Sequence, residues 1–297
     1  MIRTLSKNDC YYIAYNHKYV VFLGDRNAVY SRHDWTKITT FTVYQCMFGI
    51  FLSNDELLVK TTSGRYFIYN ILEETKTFFK PRGSVNPDSN PFVDLDRAVI
   101  YDIVNKRDGY SLLKFDFNGK SQEVLKLPFG VYRNLGWRDN NIVMAVHSWE
   151  KADPITWKSE GYRIRTFNFD TKTDQLLDKK DLLVQESVAY LDHNIILYTD
   201  GRMTDYNGTL LKILFQSEKA GFHFPKSGWS RFKHLIDGKL YYRNNTKYLD
   251  FIDLWDETFY KSIPIDYAYH VVILDNNILI AHNNGVTMIE NGADFQF

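Results

Sequence analysis

One short phrase recurs seven times along this chain and constrains its fold more than any other feature: a turn containing Asp or Asn, followed at once by an apolar strand. The copies are residues 16–22 (NHKYVVF), 54–59 (NDELLV), 96–101 (DRAVIY), 139–144 (DNNIVM), 192–197 (DHNIIL), 237–242 (DGKLYY) and 275–280 (DNNILI). The markers Asn16, Asp55, Asp96, Asp139, Asp192, Asp237 and Asp275 are spaced by 39, 41, 43, 53, 45 and 38 residues. A period near 40 accommodates four short strands and their turns. The turns have a mechanism: Asp, Asn and Gly tolerate positive φ, and Asp or Asn side chains bond their own backbone, which closes a tight hairpin.

A second signal follows each marker. Residues 113–120 (LKFDFNGK), 165–172 (RTFNFDTK) and 203–209 (MTDYNGT) read as a strand running into a polar hairpin, and 67–70 (FIYN) and 251–254 (FIDL) fit the same slot. Most alternate apolar and polar residues, as a strand exposed on one side should. Aromatics make up 16% of the chain, with 21 Tyr and 21 Phe, and such residues favour pleated, half-buried surfaces. No segment keeps helical apolar spacing over three turns between breakers; the best rival, 176–188, stops at the next marker.

Together these signals predict an all-β chain: a seven-bladed β-propeller with four antiparallel strands per blade, forming one domain over residues 1–297. A β-sandwich is the competing fold, but it does not require seven similar units. Residues 1–7 are expected to join the last blade beside 293–297, which would leave no open sheet edge.

The phrase "apolar-Asp-x-x-Thr/Gly-Lys" before an outer hairpin resembles the blades of WD-repeat and quinoprotein-like propellers. The likeness spans nearly the whole chain at the level of fold. The Gly-His and Trp-Asp dipeptides of WD repeats do not recur, since Asp34-Trp35 and Trp255-Asp256 are isolated, and kelch di-glycines are absent. No family within the superfamily is recognised.

With strands a, b, c and d in each blade, the a–b and c–d turns share one end, and the b–c and d–a connections share the other. The first set is mostly tight. The second contains the long excursions 80–91, 148–161 and 216–231, and long connections on a regular scaffold are frequent carriers of function. They supply Arg82 from the first, Trp149, Glu150 and Trp157 from the second, and His223, Lys226, Trp229 and Arg231 from the third. Tyr132 and Arg133 follow the short 128–130 connection at the same end. Trp, Tyr and Arg dominate interface energetics, so this face is the expected binding surface for a protein or peptide. The alternative is that the rings cap the core between blades.

Catalytic signatures are missing. There is no Gly-x-Gly-x-x-Gly, His-Glu-x-x-His or Gly-x-Ser-x-Gly, and Lys114 stands where a phosphate loop ending at Gly119-Lys120-Ser121 would need Gly. The resemblance to propellers does imply one enzymatic alternative, a lactonase-like or other hydrolase that binds a divalent cation such as calcium over the channel mouth. Its candidate ligands here are Asp94, Asn134, Glu186 and Asp266. Otherwise no cofactor is expected.

The 36 basic and 36 acidic residues cancel, so nothing steers the chain toward nucleic acid or an anionic membrane. Cys10 and Cys46 form no close pair, which indicates neither a disulfide framework nor a thiolate zinc site. No apolar run suits a signal peptide or a membrane span, and the Asn207 and Asn244 triplets read as turn chemistry. A monomer in the cytoplasm is the expectation.

Overall fold

The computed structural model describes residues 1–81, 84–85, 90–106, 109–127, 130–138, 141–151, 157–168, 170–176, 189–192, 195–198, 202–205, 209–213, 235–236, 240–244, 249–265 and 268–292. Among them every regular element is a strand, and the strands form seven antiparallel sheets built mainly from strands consecutive in sequence.

Sheet 1 is Cys10–Tyr15, Tyr19–Gly24, Asn27–Ser31 and Lys37–Phe41; sheet 2 is Cys46–Phe51, Glu56–Thr61, Tyr66–Asn70 and Thr75–Phe79. Sheet 3 pairs Val99–Lys106, Gly109–Asp116 and Ser121–Leu127, with Ser84–Val85 and Phe92–Asp94 both lying along the first of these. Sheet 4 is Gly130–Arg138, Asn141–Lys151, Trp157–Asn168 and Asp174–Leu176. Sheet 5 is Ala189–Asp192, Ile195–Tyr198, Arg202–Asp205 and Leu210–Ile213; sheet 6 is Leu235–Ile236, Leu240–Asn244, Leu249–Asp253 and Thr258–Ile263. Sheet 7 is Ala268–Leu274, Asn277–His282 and Gly285–Ile289, completed by Ile2–Ser6. Strands are lettered a to d along each sheet, so Phe92–Asp94 is strand a and Val99–Lys106 strand b of sheet 3, and Ile2–Ser6 is strand d of sheet 7.

The markers Asn16, Asp55, Asp96, Asp192 and Asp275 fall at the a–b hairpin of a sheet, and Asp139 and Asp237 lie outside the described residues. The reason the following strand is so apolar is burial on both faces. Strand Tyr19–Gly24 is buried throughout, and Glu56–Thr61 and Asn277–His282 are buried at all but their first residue. Alternate residues of one strand serve two cores: Val21 and Leu23 pack with Leu57, Val59, Phe67 and Tyr69 of sheet 2, whereas Val20 and Phe22 pack with Val272, Leu279 and Met288 of sheet 7. The d strands grade outward; Lys37–Phe41 and Thr75–Phe79 are buried only at their last residue.

The polar turns repay their sequence cost with specific bonds. Asn16 Oδ1 accepts from the Lys18 and Tyr19 amides at 2.8 Å, and its Nδ2 donates to the Asn54 carbonyl at 2.9 Å, tying the first marker turn to the second. Tyr19 Oη donates to Asp55 at 3.0 Å. Arg32, in the c–d turn of sheet 1, clamps the marker Asp275 with two 2.7 Å bonds and holds that carboxyl below its ordinary range. Asp275 and Asn276 both adopt the left-handed conformation at φ 50 and 61, which a two-residue hairpin of this kind demands.

At the c–d turns the last residue of strand c does the capping. Asn70, Asp116, Asn168, Asp205 and Asp253 each accept main-chain N–H groups from the turn that follows. That is the physical content of the repeated apolar-Asp phrase.

The described chain falls into two compact units, Met1–Lys80 with Asn244–Leu249 and Ile263–Phe297, and Pro81–Arg243 with Asp250–Ser262. In the first, residues 2–6 do join the last sheet, where they pair with its strand c; the expected neighbours 293–297 lie outside the described residues. Ile2 pairs with Ile289, Arg3 with Met288 and Thr4 with Thr287, and Tyr30 Oη donates to the Leu5 carbonyl at 2.7 Å. The link from this strand into sheet 1 lies so close to two glycines that a Cβ at Gly24 would sit 1.9 Å from the Asp9 carbonyl oxygen, and one at Gly285 would sit 1.8 Å from that of Ser6. In the second unit, Tyr101, Ile103 and Leu112 of sheet 3 pack with Ile142, Met144 and Phe167 of sheet 4.

Candidate interaction face

At the b–c and d–a end, strands b and c of sheet 4 are longer than those of sheet 3, which have eight residues each. They run 11 and 12 residues, against six and five in sheets 1, 2 and 7. The added length is a hairpin extension in which Trp149 pairs with Ser159, Glu150 with Lys158, and Lys151 with Trp157. The excursion expected at 148–161 is therefore not a loop throughout. It is strand on both sides of 152–156, because cross-strand pairing satisfies backbone groups that a loop of this length would leave to solvent. Directly after the extension Tyr162 and Ile164 alternate with Arg163 and Arg165, a period-two pattern.

Tyr132 and Arg133 belong to strand a of sheet 4, paired with Val146 and Ala145. In the 80–91 excursion, Val85 is buried and Ser84–Val85 pairs with Val104 and Asn105, so part of that segment is sheet as well. Arg82, His223, Lys226, Trp229 and Arg231 lie outside the described residues.

The first unit shows its own side chains at this end. Tyr11 and Tyr269, from neighbouring a strands, meet edge to face at 5.2 Å, and Tyr269 Oη bonds Asn283 Oδ1. Burial, and then the nearby carboxylates Asp25 and Asp9, push the Tyr11 phenol up to about 12, so it remains a neutral hydrogen-bonding group. Asp25 Oδ1 is buried with no hydrogen-bond partner among the described residues.

His282 accepts the Asn284 amide at Nδ1 (3.2 Å), which leaves its proton on Nε2 facing Thr287 Oγ1 at 3.0 Å. Burial lowers its pKa. His270 likewise accepts the Ile13 amide at Nδ1 and stacks on Tyr12 at 4.2 Å. Both imidazoles are occupied in holding backbone. The thiols are equally committed: Cys10 is free, buried and raised to about 12, and Cys46 is free, buried and raised further, so neither is a nucleophile at neutral pH.

Of the four metal candidates, Asp94 sits at the a–b end of sheet 3, where Oδ1 caps the Arg97 amide at 3.0 Å and Oδ2 lies 3.5 Å from the Arg97 guanidinium. Asn134 is interior to strand a of sheet 4, beside a register shift. Glu186 and Asp266 lie outside the described residues. Among the described residues no three His, Cys, Asp or Glu side chains gather as a ligand set. Nor is any described helix long and apolar enough to cross a membrane.

No family model and no curated protein matches this chain in sequence. In structure it is similar to the AfRom2 CNH domain, with a TM-score of 0.64 over 98% of this chain and 99% of that chain, at 10% sequence identity. A likeness that complete at so little identity is one of fold: the chain has a propeller-like, all-β architecture built from four-stranded antiparallel sheets.

Proposed function

We propose that residues 1–297 form one seven-bladed propeller that acts as a non-catalytic binding or scaffold module, engaging a protein or peptide with its b–c and d–a face. The observation that carries this reading is the extended hairpin of sheet 4, whose outermost pairs bring two Trp, a Glu and two Lys into adjacent register. Extended strands that satisfy one another's backbone form a more rigid platform than a free loop, and a rigid platform loses less entropy on binding. Aromatic anchors flanked by charge are the residue types such an interface uses. Tyr132, Arg133, Trp149, Glu150 and Trp157 form the centre of the proposed surface, and Arg82, His223, Lys226, Trp229 and Arg231 complete it. The module works as a monomer in the cytoplasm, without cofactor, nucleic acid or membrane.

The test is a triple replacement, Trp149, Trp157 and Trp229 to Ala, with thermal midpoint and partner capture measured on the same preparation. A midpoint within about 2 °C of the parent, with a stoichiometric partner lost, supports the reading; surface substitutions of this kind usually cost under ~0.5 kcal/mol. A midpoint lowered by 10 °C or more would assign the rings to the core and end the proposal. An experimental structure with six or eight sheets about one axis would overturn the blade count.

A further inference from the structure

Strand d of sheet 7 is held differently from the other d strands of the first unit. Lys37–Phe41 and Thr75–Phe79 each end on a buried ring, Phe41 and Phe79, which fixes the strand to the core. None of the five residues of Ile2–Ser6 is buried: Ile2, Arg3 and Thr4 are exposed, and Leu5 and Ser6 are half-buried. The ladder is also interrupted. Thr4 pairs with Thr287 and Ser6 with Val286, so Leu5 falls in a register shift with no residue opposite it. Leu5 is nevertheless the residue of this strand that packs on the core, and its carbonyl takes the Tyr30 hydroxyl. The remaining hold is largely backbone pairing with Gly285–Ile289, extended by the bonds between Met1 and Glu290.

The strand joins sheet 1 through residues 7–9. Two tight backbone approaches bracket the exposed pair Lys7 and Asn8: the Ser6 carbonyl at Gly285 and the Asp9 carbonyl at Gly24. The first moves with the strand if it lifts, and the second stays with sheet 1, so Lys7 and Asn8 are the hinge. A lifted strand uncovers a seat of defined shape, made of the edge of Gly285–Ile289, a recess for one leucine and the Tyr30 hydroxyl. Residues 2–6 of another copy present the same complement to it.

We propose that the chain exchanges this strand with a second copy, residues 2–6 of each lying along Gly285–Ile289 of the other in the register seen within one chain. The exchanged pair makes the same strand contacts as two closed chains, so concentration sets the balance. A short link keeps the strand at an effective concentration on the order of millimolar over its own seat. The closed monomer is therefore the dilute form, and the exchanged dimer grows in as the protein approaches about 1 mM. The proposal does not rest on the protein-binding reading, whose central residues lie in sheet 4.

Two single variants of the full chain, Thr4→Cys and Thr287→Cys, test it. These positions are direct partners, within disulfide reach whenever a strand occupies a seat. Neither variant can close that bond within one chain, and both native thiols are buried. The two are mixed, incubated until the yield is steady, and treated with a mild oxidant. At a total of about 1 mM, roughly a tenth or more of the protein should become a linked pair of unlike chains, and at about 10 µM roughly a hundredth or less. Ile2→Cys in place of Thr4→Cys is the register control. It lies on the same exposed face but only diagonal to Thr287, and should link about fivefold less. The unsubstituted chain, concentrated in the same way and then diluted, should show a dimer in light scattering that decays slowly. That readout serves if Thr287→Cys, which gives up its contact with His282, does not fold. The proposal is overturned by the absence of linked pairs and of a dimer at about 1 mM, or by equal yields from Ile2→Cys and Thr4→Cys.

Discussion

Gly24 and Gly285 show how single positions hold the first unit together. Each lets another main-chain segment, Asp9 at Gly24 and Ser6 at Gly285, come closer than any side chain permits, and Gly285 also needs φ +128, which L-residues rarely adopt. The obstructing atoms are backbone carbonyls, so rotamer changes give no relief. Gly24→Ala should therefore destabilise by about 2–3 kcal/mol in denaturant unfolding, the upper range for inserting a carbon where there is no room. A loss below ~0.5 kcal/mol would mean that the Asp9 link moves aside freely.

His282 makes a second residue-scale prediction. Its folded pKa lies below its ordinary value because burial disfavours the charged ring, so the unfolded chain binds the proton more readily. The stabilisation is complete above about pH 6.5 and is lost as pH falls from there through the lower folded value. His282→Gln should flatten the fall in thermal midpoint between pH 6.5 and 5, at some cost in midpoint at pH 8. A parallel fall in both proteins would rule His282 out as the titrating group.

At the scale of strands and sheets, what the sequence disclosed depended on burial. The b strands could be read directly because both faces are packed, giving unbroken runs such as Val20-Val21-Phe22, with a marker turn whose Asp or Asn has a bonding role. The d strands were almost silent: Lys37–Phe41 and Thr75–Phe79 are nearly all exposed, and their place is set by pairing with strand c. The sheet 4 extension was misread because its Trp, Glu and Lys look like loop chemistry until register pairs them.

This gradient is measurable. Leu58→Ala or Leu279→Ala, in fully buried b strands, should cost 2–5 kcal/mol. Thr77→Ala, on an exposed d strand, should change stability by less than about 0.5 kcal/mol. Equal effects at the two kinds of site would contradict the two-sided burial of the b strands.

For the whole chain, the decisive contact joins its two ends. Strand d of sheet 7 comes from residues 2–6, and without it Gly285–Ile289 becomes an exposed edge with unpaired N–H and C=O groups. Removal of residues 1–6 would also take Leu5 out of the core it shares with Tyr30 and Met288, and leave the Tyr30 hydroxyl without its carbonyl acceptor. Burial of one Leu contributes roughly 2 kcal/mol and the hydrogen bond about 1, so the midpoint should fall on the order of 5–10 °C. The bared edge should make the truncated chain associate as its concentration rises, visible as growing mass in light scattering. A synthetic peptide of residues 1–7, added in millimolar excess, should restore both the midpoint and the monomer, because it supplies the missing strand with the same register. If the truncated chain stays monomeric with an unchanged midpoint, the end-to-end pairing contributes no stability, and the seven-sheet closure proposed above would have to rest on contacts elsewhere.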